Sequence, residues 1–453
     1  MPKPPPRRPG GIPRGLDHDG PALFSYGFRP FFLGGAIWAV LSMALWVAAL
    51  SGLAAPGGAY GAADWHMHEM LFGFAPAVLC GFLMTAVPNW TGRMPVSGRP
   101  LMALAALWLA GRLILTFPPT QAPLWPAVLL ESLFLPLMAA LFWREIAAGR
   151  KWRDLKLVGL VAVIAAANLW FHAAVLAGAD PRVAARAAVA GAAAVEIAAG
   201  RNWRNLKVLA PVTVLVAANI LFHVEAHLHG VADAGRRLGI AAAIVLVMLI
   251  GGRIIPSFTR NWLARHRPGP VPAPLDSFDR ASVALSVAAL ALWVAAPETR
   301  ATAGACALAA ALNMLRLARW RGWRAWREPM VWGLHLGWLM VPLGFAAVAL
   351  AALGELTPAA ALHVFAAGAI GGEMLAVMTR ATRSHTGRAT EATWPTTLAF
   401  LAIAASAALR VGAEFAAWNT LIAAAGTAWI AGFALYLTEH ARMLLAARKP
   451  RGR

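Results

Sequence analysis

Cysteine, tyrosine and charged residues are scarce in this chain of 453 residues. Two cysteines occur, Cys80 and Cys306, and both lie in apolar stretches without a CxxC or CxxCH motif. Thiolate zinc sites, covalently attached c-type heme and a disulfide framework therefore have no support. Charged residues make up 13% of the chain, against about 25% in a soluble domain. This low share argues against a soluble globular enzyme with one core.

Hydrophobic residues, by contrast, make up 60% of the chain, and the mean hydropathy is +0.62. Long apolar runs such as 281–296 and 341–354 recur along it. These runs are too long and too uniformly apolar for the strands of a barrel, and in lipid a helix satisfies its backbone polar groups internally. We therefore predict an all-α polytopic membrane helix bundle of about 14 transmembrane helices, forming one domain over residues 24–443.

The predicted segments are 30–51, 67–90, 101–117, 124–143, 157–177, 183–199, 208–228, 238–256, 281–296, 301–317, 331–353, 359–379, 396–412 and 418–440. The segment 183–199 is the weakest, because it is rich in alanine and contains Arg186 and Glu196. It could instead lie at the membrane interface.

Basic residues predict the orientation. The net charge is +20, and most of the 40 Lys and Arg residues fall in connections on one side of the membrane if the N-terminus is inside. By the positive-inside rule both termini are cytoplasmic, with a disordered tail over 1–23 and a basic tail over 444–453. The basic residues are scattered among short loops, which argues against binding to nucleic acid.

An internal repeat relates residues 145–172 to residues 196–223 at a constant offset of 51. The segments EIAAGRKWRDLKLVGLVAVIAAANLWFH and EIAAGRNWRNLKVLAPVTVLVAANILFH align His172 with His223. We interpret the repeat as a tandem duplication of a helix pair, so the 14 helices are 12 plus the duplicated pair. The second copy runs directly into further histidines, so we expect His223 to hold the working position and His172 to be its duplicate.

Seven of the twelve histidines lie near segment ends that face the outer side in this topology. They are His66, His68, His172, His223, His227, His229 and His363. Histidine inside a bilayer is costly, so its presence there suggests a functional site. Imidazole is also a common ligand of iron, copper and zinc. The layer therefore predicts a metal or heme site.

The motif WHMHEMLFGF (65–74) opens the second segment. His66 and Glu69 are three residues apart and would share a helix face, whereas His68 would point elsewhere or lie in the preceding loop. One of the two histidines is expected to bind a metal, with Glu69 orienting it as a hydrogen-bond acceptor. The alternative is a pair of interfacial histidines that bond to backbone or headgroups.

The motif NILFHVEAHLH (219–229) ends the seventh segment. His223 and His227 are four residues apart, a spacing found in helical metal sites, although the motif lacks the HExxH order of zinc proteases. Glu225 falls on another face of the helix, where it could orient a metal ligand or transfer protons. His229 is expected to be solvated, and a solvated helix end is the alternative for the group.

Two further segments carry polar residues. In LHVFAAGAIGGEMLAVMTR (362–380), His363 lies near the outer start and Glu373 about 15 Å deeper. Glu373 could serve in proton uptake, or it could hydrogen-bond to a neighbouring helix. In GGRIIPSFTRNWL (251–263), Arg253 could pair with a carboxylate or a heme propionate, or extend to the interface, and Pro256 is expected to end the helix.

These motifs, with FSYGFRPFFL, GFLMTAVPNWTGR and the continuation to TRATRSHTGR, span residues 24–388 and together resemble the NnrS family of bacterial inner-membrane proteins. The resemblance implies a protein of near twelve helices that binds heme and copper and acts in nitric oxide metabolism or resistance to nitrosative stress. The repeat is a departure from that pattern. The alternatives are a membrane transporter, or a sensor of nitric oxide or heme without turnover. Our expected metal ligands, from depth and spacing, are His66, His68, His223, His227 and His363.

Overall fold

The computed structural model describes residues 20–58, 61–91, 95–118, 130–134, 137–138, 211, 214–215, 217–226 and 232–449. Within these ranges the chain is helical and contains no strand, and ten of its helices are long and apolar enough to cross a membrane. The predicted all-helical membrane architecture is therefore confirmed. The predicted segments 157–177 and 183–199 lie outside the described residues.

The ten helices are α1 (Phe28–Leu50), α2 (Gly61–Thr91), α3 (Arg99–Thr116), α4 (Asp233–His266), α5 (Ser277–Ala295), α6 (Arg300–Arg319), α7 (Pro329–Ala352), α8 (Pro358–His385), α9 (Trp394–Gly412) and α10 (Trp418–Leu445). Helical residues are also described within 130–138 and 211–226, inside two further predicted segments.

Helix α4 continues well past Pro256 and ends at His266. The prediction that Pro256 ends the helix is therefore wrong. Proline removes one backbone hydrogen bond, but membrane helices tolerate it where neighbouring helices and side chains compensate. Helix α7 likewise contains an internal proline, Pro342.

Helices α2 and α8 each contain a stretch of wider π-helix. In α2 it covers Glu69–Phe74, between the α-helical parts Gly61–His68 and Ala75–Thr91. In α8 it covers Val364–Gly371, directly after His363. π-Helical turns are rare and often occur at functional sites because they change the direction of the side chains that follow. Both stretches begin beside histidines of the predicted layer.

Contacts between the first and last helices close the bundle. Helix α1 packs along α10 and α2, while α8 packs against α7, α9 and α4. The buried Arg29 guanidinium donates hydrogen bonds of 2.7 Å each to the backbone carbonyls of Leu444 and Ala446, at the end of α10. Arg29 thereby satisfies carbonyls that a helix C-terminus leaves without a partner.

Candidate metal site

Four parts of the chain converge on a group of buried polar side chains. Helix α2 contributes His68 and Glu69, α3 contributes Arg112, and the described residues near 131 and 223 contribute Glu131 and His223. None of these five side chains is more than 5% exposed. We call these five residues the charged cluster.

Within the charged cluster, one carboxylate lies between two imidazoles. His68 Nε2 lies 3.9 Å from Glu131 Oε1, and His223 Nε2 lies 3.7 Å from Glu131 Oε2. The two imidazole rings are 5.0 Å apart between centroids, and one donor atom from each residue lies within 4.8 Å of the others. Two ligands of one tetrahedral ion, each about 2.1 Å from it, are separated by roughly 3.4 Å. The three side chains could therefore converge on one metal ion with small adjustments.

Arg112 joins the two carboxylates of the charged cluster. Its Nη1 lies 3.1 Å from Glu69 Oε2, and its Nη2 lies 3.1 Å from Glu131 Oε1. A guanidinium is planar and always charged, so it can hold two carboxylates in fixed positions. Without this cation, two buried negative charges would repel each other and lack compensation.

Glu69 also holds His68 in place. Its Oε1 lies 3.1 Å from His68 Nδ1, while its Oε2 accepts a 2.7 Å hydrogen bond from the indole N–H of Trp38 on α1. Because a carboxylate only accepts, Nδ1 of His68 donates its proton to Glu69, and Nε2 is the ring nitrogen that faces Glu131. Histidine ligands of metals are commonly oriented in this way.

Close packing favours glycine where α2 passes the charged cluster. A Cβ atom at Gly73 would lie 2.3 Å from Arg112 Nη1 and 2.7 Å from Glu69 Oε2. The carbonyl of Gly73 accepts a 3.0 Å hydrogen bond from Trp108 Nε1 on α3. The π-helical stretch and its glycine thus let α3 bring Arg112 close to Glu69.

The charge balance of the cluster leaves room for one further positive charge. With neutral imidazoles, two carboxylates and one guanidinium leave one net negative charge, which a bound cation or a proton on one imidazole would balance. A nitrogen and oxygen donor set of two imidazoles and a carboxylate suits copper, iron or zinc, and copper binds most tightly of the divalent first-row ions. The residues present therefore fit a transition-metal ion.

The other two described histidines of the predicted ligand set lie elsewhere. His66 and His363 line a cavity of about 110 Å³ between α2, α4 and α8, together with Arg236. The structure thus brings His68 together with His223, and His66 together with His363. His227, His229 and His172 lie outside the described residues.

The predicted accessory residues have different surroundings. Glu69 contacts His68, its neighbour in sequence, in the accepting role expected of it. Glu225 caps α4, accepting hydrogen bonds from the backbone N–H groups of Ala234 (3.2 Å) and Gly235 (2.8 Å). Glu225 therefore stabilises a helix start.

Glu373 and Arg253 lie away from the charged cluster. Glu373 is 4% exposed, and neither of its carboxyl oxygens has a hydrogen-bond partner among the residues that the structure describes. It lines a second cavity of about 90 Å³ with otherwise apolar walls. Arg253 is exposed on α4. Its exposure agrees with the alternative that its side chain extends to the interface.

Three residues near these sites, Glu131, Arg112 and Arg236, are not among the residues predicted from the sequence. The sequence contains one signal for all three, their charge, because a charged residue within or beside a predicted membrane segment suggests a functional site. Their partners are distant in sequence, so the pairing itself could not be read from local spacing.

Comparison with known proteins supports the resemblance seen in the motifs. A comparison with curated proteins gives no match. A family model described as NnrS protein matches residues 22–193 and 181–448. These two matches together cover most of the sequence, and the chain therefore belongs to the NnrS family.

Proposed function

We propose that this protein binds copper and heme in the bacterial inner membrane and acts in nitric oxide metabolism or resistance to nitrosative stress. Family membership supports the link to nitric oxide. The observation that carries the metal-binding part is the convergence of His68, Glu131 and His223 on one point inside a membrane helix bundle.

We assign copper to the charged cluster, with His68, His223 and Glu131 as ligands. Bound copper would supply a one-electron redox centre with affinity for small diatomic ligands. The chain's own contribution is to hold the ligands: Glu69 fixes the proton on His68 Nδ1, and Arg112 keeps Glu131 ionised beside the imidazoles. Apolar helices around the cluster limit the access of water.

Glu373 is proposed to hold and release a proton. An ionised carboxylate without hydrogen bonds in an apolar cavity is very costly, so the neutral acid is the stable form. The cavity that Glu373 lines shares Ala75 and Ile370 with the cavity of His66 and His363. The carboxyl group of Glu373 is therefore separated from the cavity of these two histidines by a shared wall.

The second copy of the repeat is proposed to be the working one. His223 contributes to the charged cluster, in agreement with this assignment. The two family matches overlap over residues 181–193, between the two copies. An overlap at this point is consistent with one duplicated segment, and with it we propose fourteen spans, twelve plus the duplicated pair, with both termini in the cytoplasm.

Purification in mild detergent after expression with added copper and a heme precursor tests the proposal. We expect about one copper per chain, a heme absorption band in the visible spectrum, and a shift of that band on addition of nitric oxide. A protein that carries neither copper nor heme under these conditions would contradict the proposal. Steady-state consumption of nitric oxide by the same sample would distinguish an enzyme from a binding protein.

Substitution of each repeat copy tests the assignment of ligands. His223→Ala should remove most of the copper, whereas His172→Ala, the matched position in the first copy, should leave the copper content unchanged. If His172→Ala loses copper and His223→Ala retains it, the choice of copy is wrong.

A further inference from the structure

His66 and His68 point to different sides of α2. Residues two apart on a helix differ by about 200° in direction at 3.6 residues per turn. His68 faces Glu131 and His223 in the charged cluster, whereas His66 faces the cavity that it shares with His363. One short helical segment therefore supplies imidazoles to two separate places.

The space lined by His66, Arg236 and His363 combines two imidazoles with a largely apolar wall. Its other lining residues include Met43, Met70, Phe74, Leu362, Ala366 and Trp429. Ala75 and Ile370 also line the cavity of about 90 Å³, so the two cavities are neighbours between α2, α4 and α8. We call the two neighbouring cavities together the crevice.

Each of the two imidazoles is oriented by a contact with a neighbouring group. The His66 ring stacks on Trp46, with 4.6 Å between centroids and 11° between planes. Nδ1 of His363 lies 2.7 Å from the carbonyl of Ala359 and donates to it, which leaves Nε2 with its lone pair. A second hydrogen bond of this kind is the usual way in which a histidine ligand is oriented.

His66 is left with an unsatisfied polar atom. The side chain is 8% exposed, and its buried Nδ1 has no hydrogen-bond partner in the described part of the chain. Buried polar groups almost always have partners, and an exception requires an explanation such as a missing ligand. A hydrated metal ion would not suit the apolar wall of the crevice, because the ion would lose its water without gaining enough polar ligands.

We propose that the crevice is the heme site, where His66 and His363 would hold the iron through their imidazoles and Arg236 would pair with a propionate. A porphyrin has apolar faces that suit the wall, an iron that takes two imidazoles, and carboxylates that suit a guanidinium. This assignment rests on the proposed function for the presence of heme. It places the heme apart from the copper of the charged cluster, with α2 providing a ligand to each.

The crevice must widen to hold a whole porphyrin, which is larger than the two cavities. Met43, Met67 and Met70 line it, and unbranched methionine side chains adapt readily to a new neighbour. Arg236 can also move, since its Nη1 donates to the weak acceptor Met67 Sδ at 3.2 Å, and Asp233, its carboxylate partner, is exposed.

Electron paramagnetic resonance and visible spectra of single variants test the assignment. The wild-type protein is expected to show a low-spin heme with two imidazole ligands. His66→Gly and His363→Gly should each convert it to a high-spin form, or lose the heme, with unchanged copper content. Added imidazole should restore the low-spin signal, which a merely structural defect would not allow. His335→Gly, at a buried histidine near the opposite end of the bundle, is the control and should leave the heme unchanged.

The arginine is tested by a matched pair on the same helix. Arg236→Gln should weaken heme retention or shift the heme reduction potential, whereas Arg253→Gln, at an exposed position of α4, should do neither. Heme that stays low-spin in both glycine variants would overturn the assignment and leave the proposed function intact. A wild-type protein without heme would overturn both.

Discussion

The charged cluster and the crevice differ in how their buried polar groups are compensated. In the charged cluster, carboxylates are compensated by a guanidinium and by hydrogen bonds from an indole and an imidazole. The crevice has mostly apolar walls, and there His66 Nδ1 and both Glu373 oxygens lack hydrogen-bond partners among the described residues. Paired charges suit a small ion, whereas polar atoms without partners suit a protonated, neutral acid or a large apolar ligand.

Removal of the Arg112 guanidinium should lower the stability of the protein more than any other single change in the charged cluster. Arg112→Leu leaves Glu69 and Glu131 buried without their shared partner, and loss of one member of a buried ion pair costs about 3–5 kcal/mol. We expect little folded protein in detergent, measured by size-exclusion chromatography and thermal unfolding.

The matched control is an ion pair with more access to solvent. Arg410 pairs with Glu414 four residues later on the α9 side of the bundle, and each side chain is 10% exposed. Arg410→Leu should cost clearly less than Arg112→Leu. Equal losses would show that Arg112 has no special role in compensating two carboxylates.

The orientation of His68 should affect metal affinity next. In Glu69→Gln the acceptor for His68 Nδ1 becomes a neutral amide, and loss of such a partner typically weakens metal binding 10–100-fold. Competition with a copper chelator measures the affinity. Glu225→Gln is the control, because the described hydrogen bonds of Glu225 go to the start of α4 and not to the charged cluster. The two variants should differ by at least tenfold in copper affinity.

Close packing at Gly73 gives a smaller expected effect on stability. Gly73→Ala places a methyl group 2.3 Å from Arg112 Nη1, and overpacking of this kind costs about 1–3 kcal/mol. Gly304→Ala on α6 is the control, since a Cβ there meets nothing within 4 Å, and alanine is favoured over glycine in helices by about 0.5–1 kcal/mol. Opposite signs in thermal unfolding are expected for the two variants.

In the crevice, removal of a carboxyl group should lower the free energy of unfolding only slightly. Glu373→Gln is close to isosteric and breaks no hydrogen bond, so we expect a change below about 1.5 kcal/mol. Glu131→Gln, which weakens the contact with Arg112, should cost more. The infrared spectrum should lose the carbonyl band of a protonated carboxylic acid in Glu373→Gln only. Retention of that band would contradict the neutral state proposed for Glu373.

The smallest effect is expected outside the membrane-spanning helices. Asp276 starts α5 and bonds to Arg319, which lowers the pKa of its carboxyl from 3.8 to about 2. A lowered pKa means that Asp276 adds stability above pH 3.8, and that this contribution disappears as the pH falls toward 2. Asp276→Asn should therefore lower the unfolding temperature slightly at pH 6 and not at pH 2. An equal decrease at both pH values would show that charge is not the cause.

The sequence was sufficient for the membrane architecture and for part of the site. Apolar runs located the ten described helices, and the outer ends of the predicted segments placed His68 and His223 on the same side, where the structure brings them into contact. The two-residue spacing of His66 and His68 already indicated different directions. These features depend on local patterns, which a single sequence contains.

The remaining features depend on contacts that local patterns do not contain. The π-helical stretch from Glu69 changes the direction of the side chains after it, so the predicted shared face of His66 and Glu69 gives way to the contact between Glu69 and His68. The pairing of Glu131 with Arg112 needs the packing of two helices. Proline inside α4 is tolerated for the same reason, because neighbouring helices compensate.

Pulsed electron paramagnetic resonance of the copper-loaded protein tests the separation of the two sites most directly. The measurement counts the imidazole nitrogens coupled to Cu(II). We predict two coupled imidazoles in the wild type, one or none after His68→Ala or His223→Ala, and two after His66→Ala or His363→Ala. Loss of a coupled imidazole in the His66 or His363 variant, with no change in the His68 variant, would contradict the account.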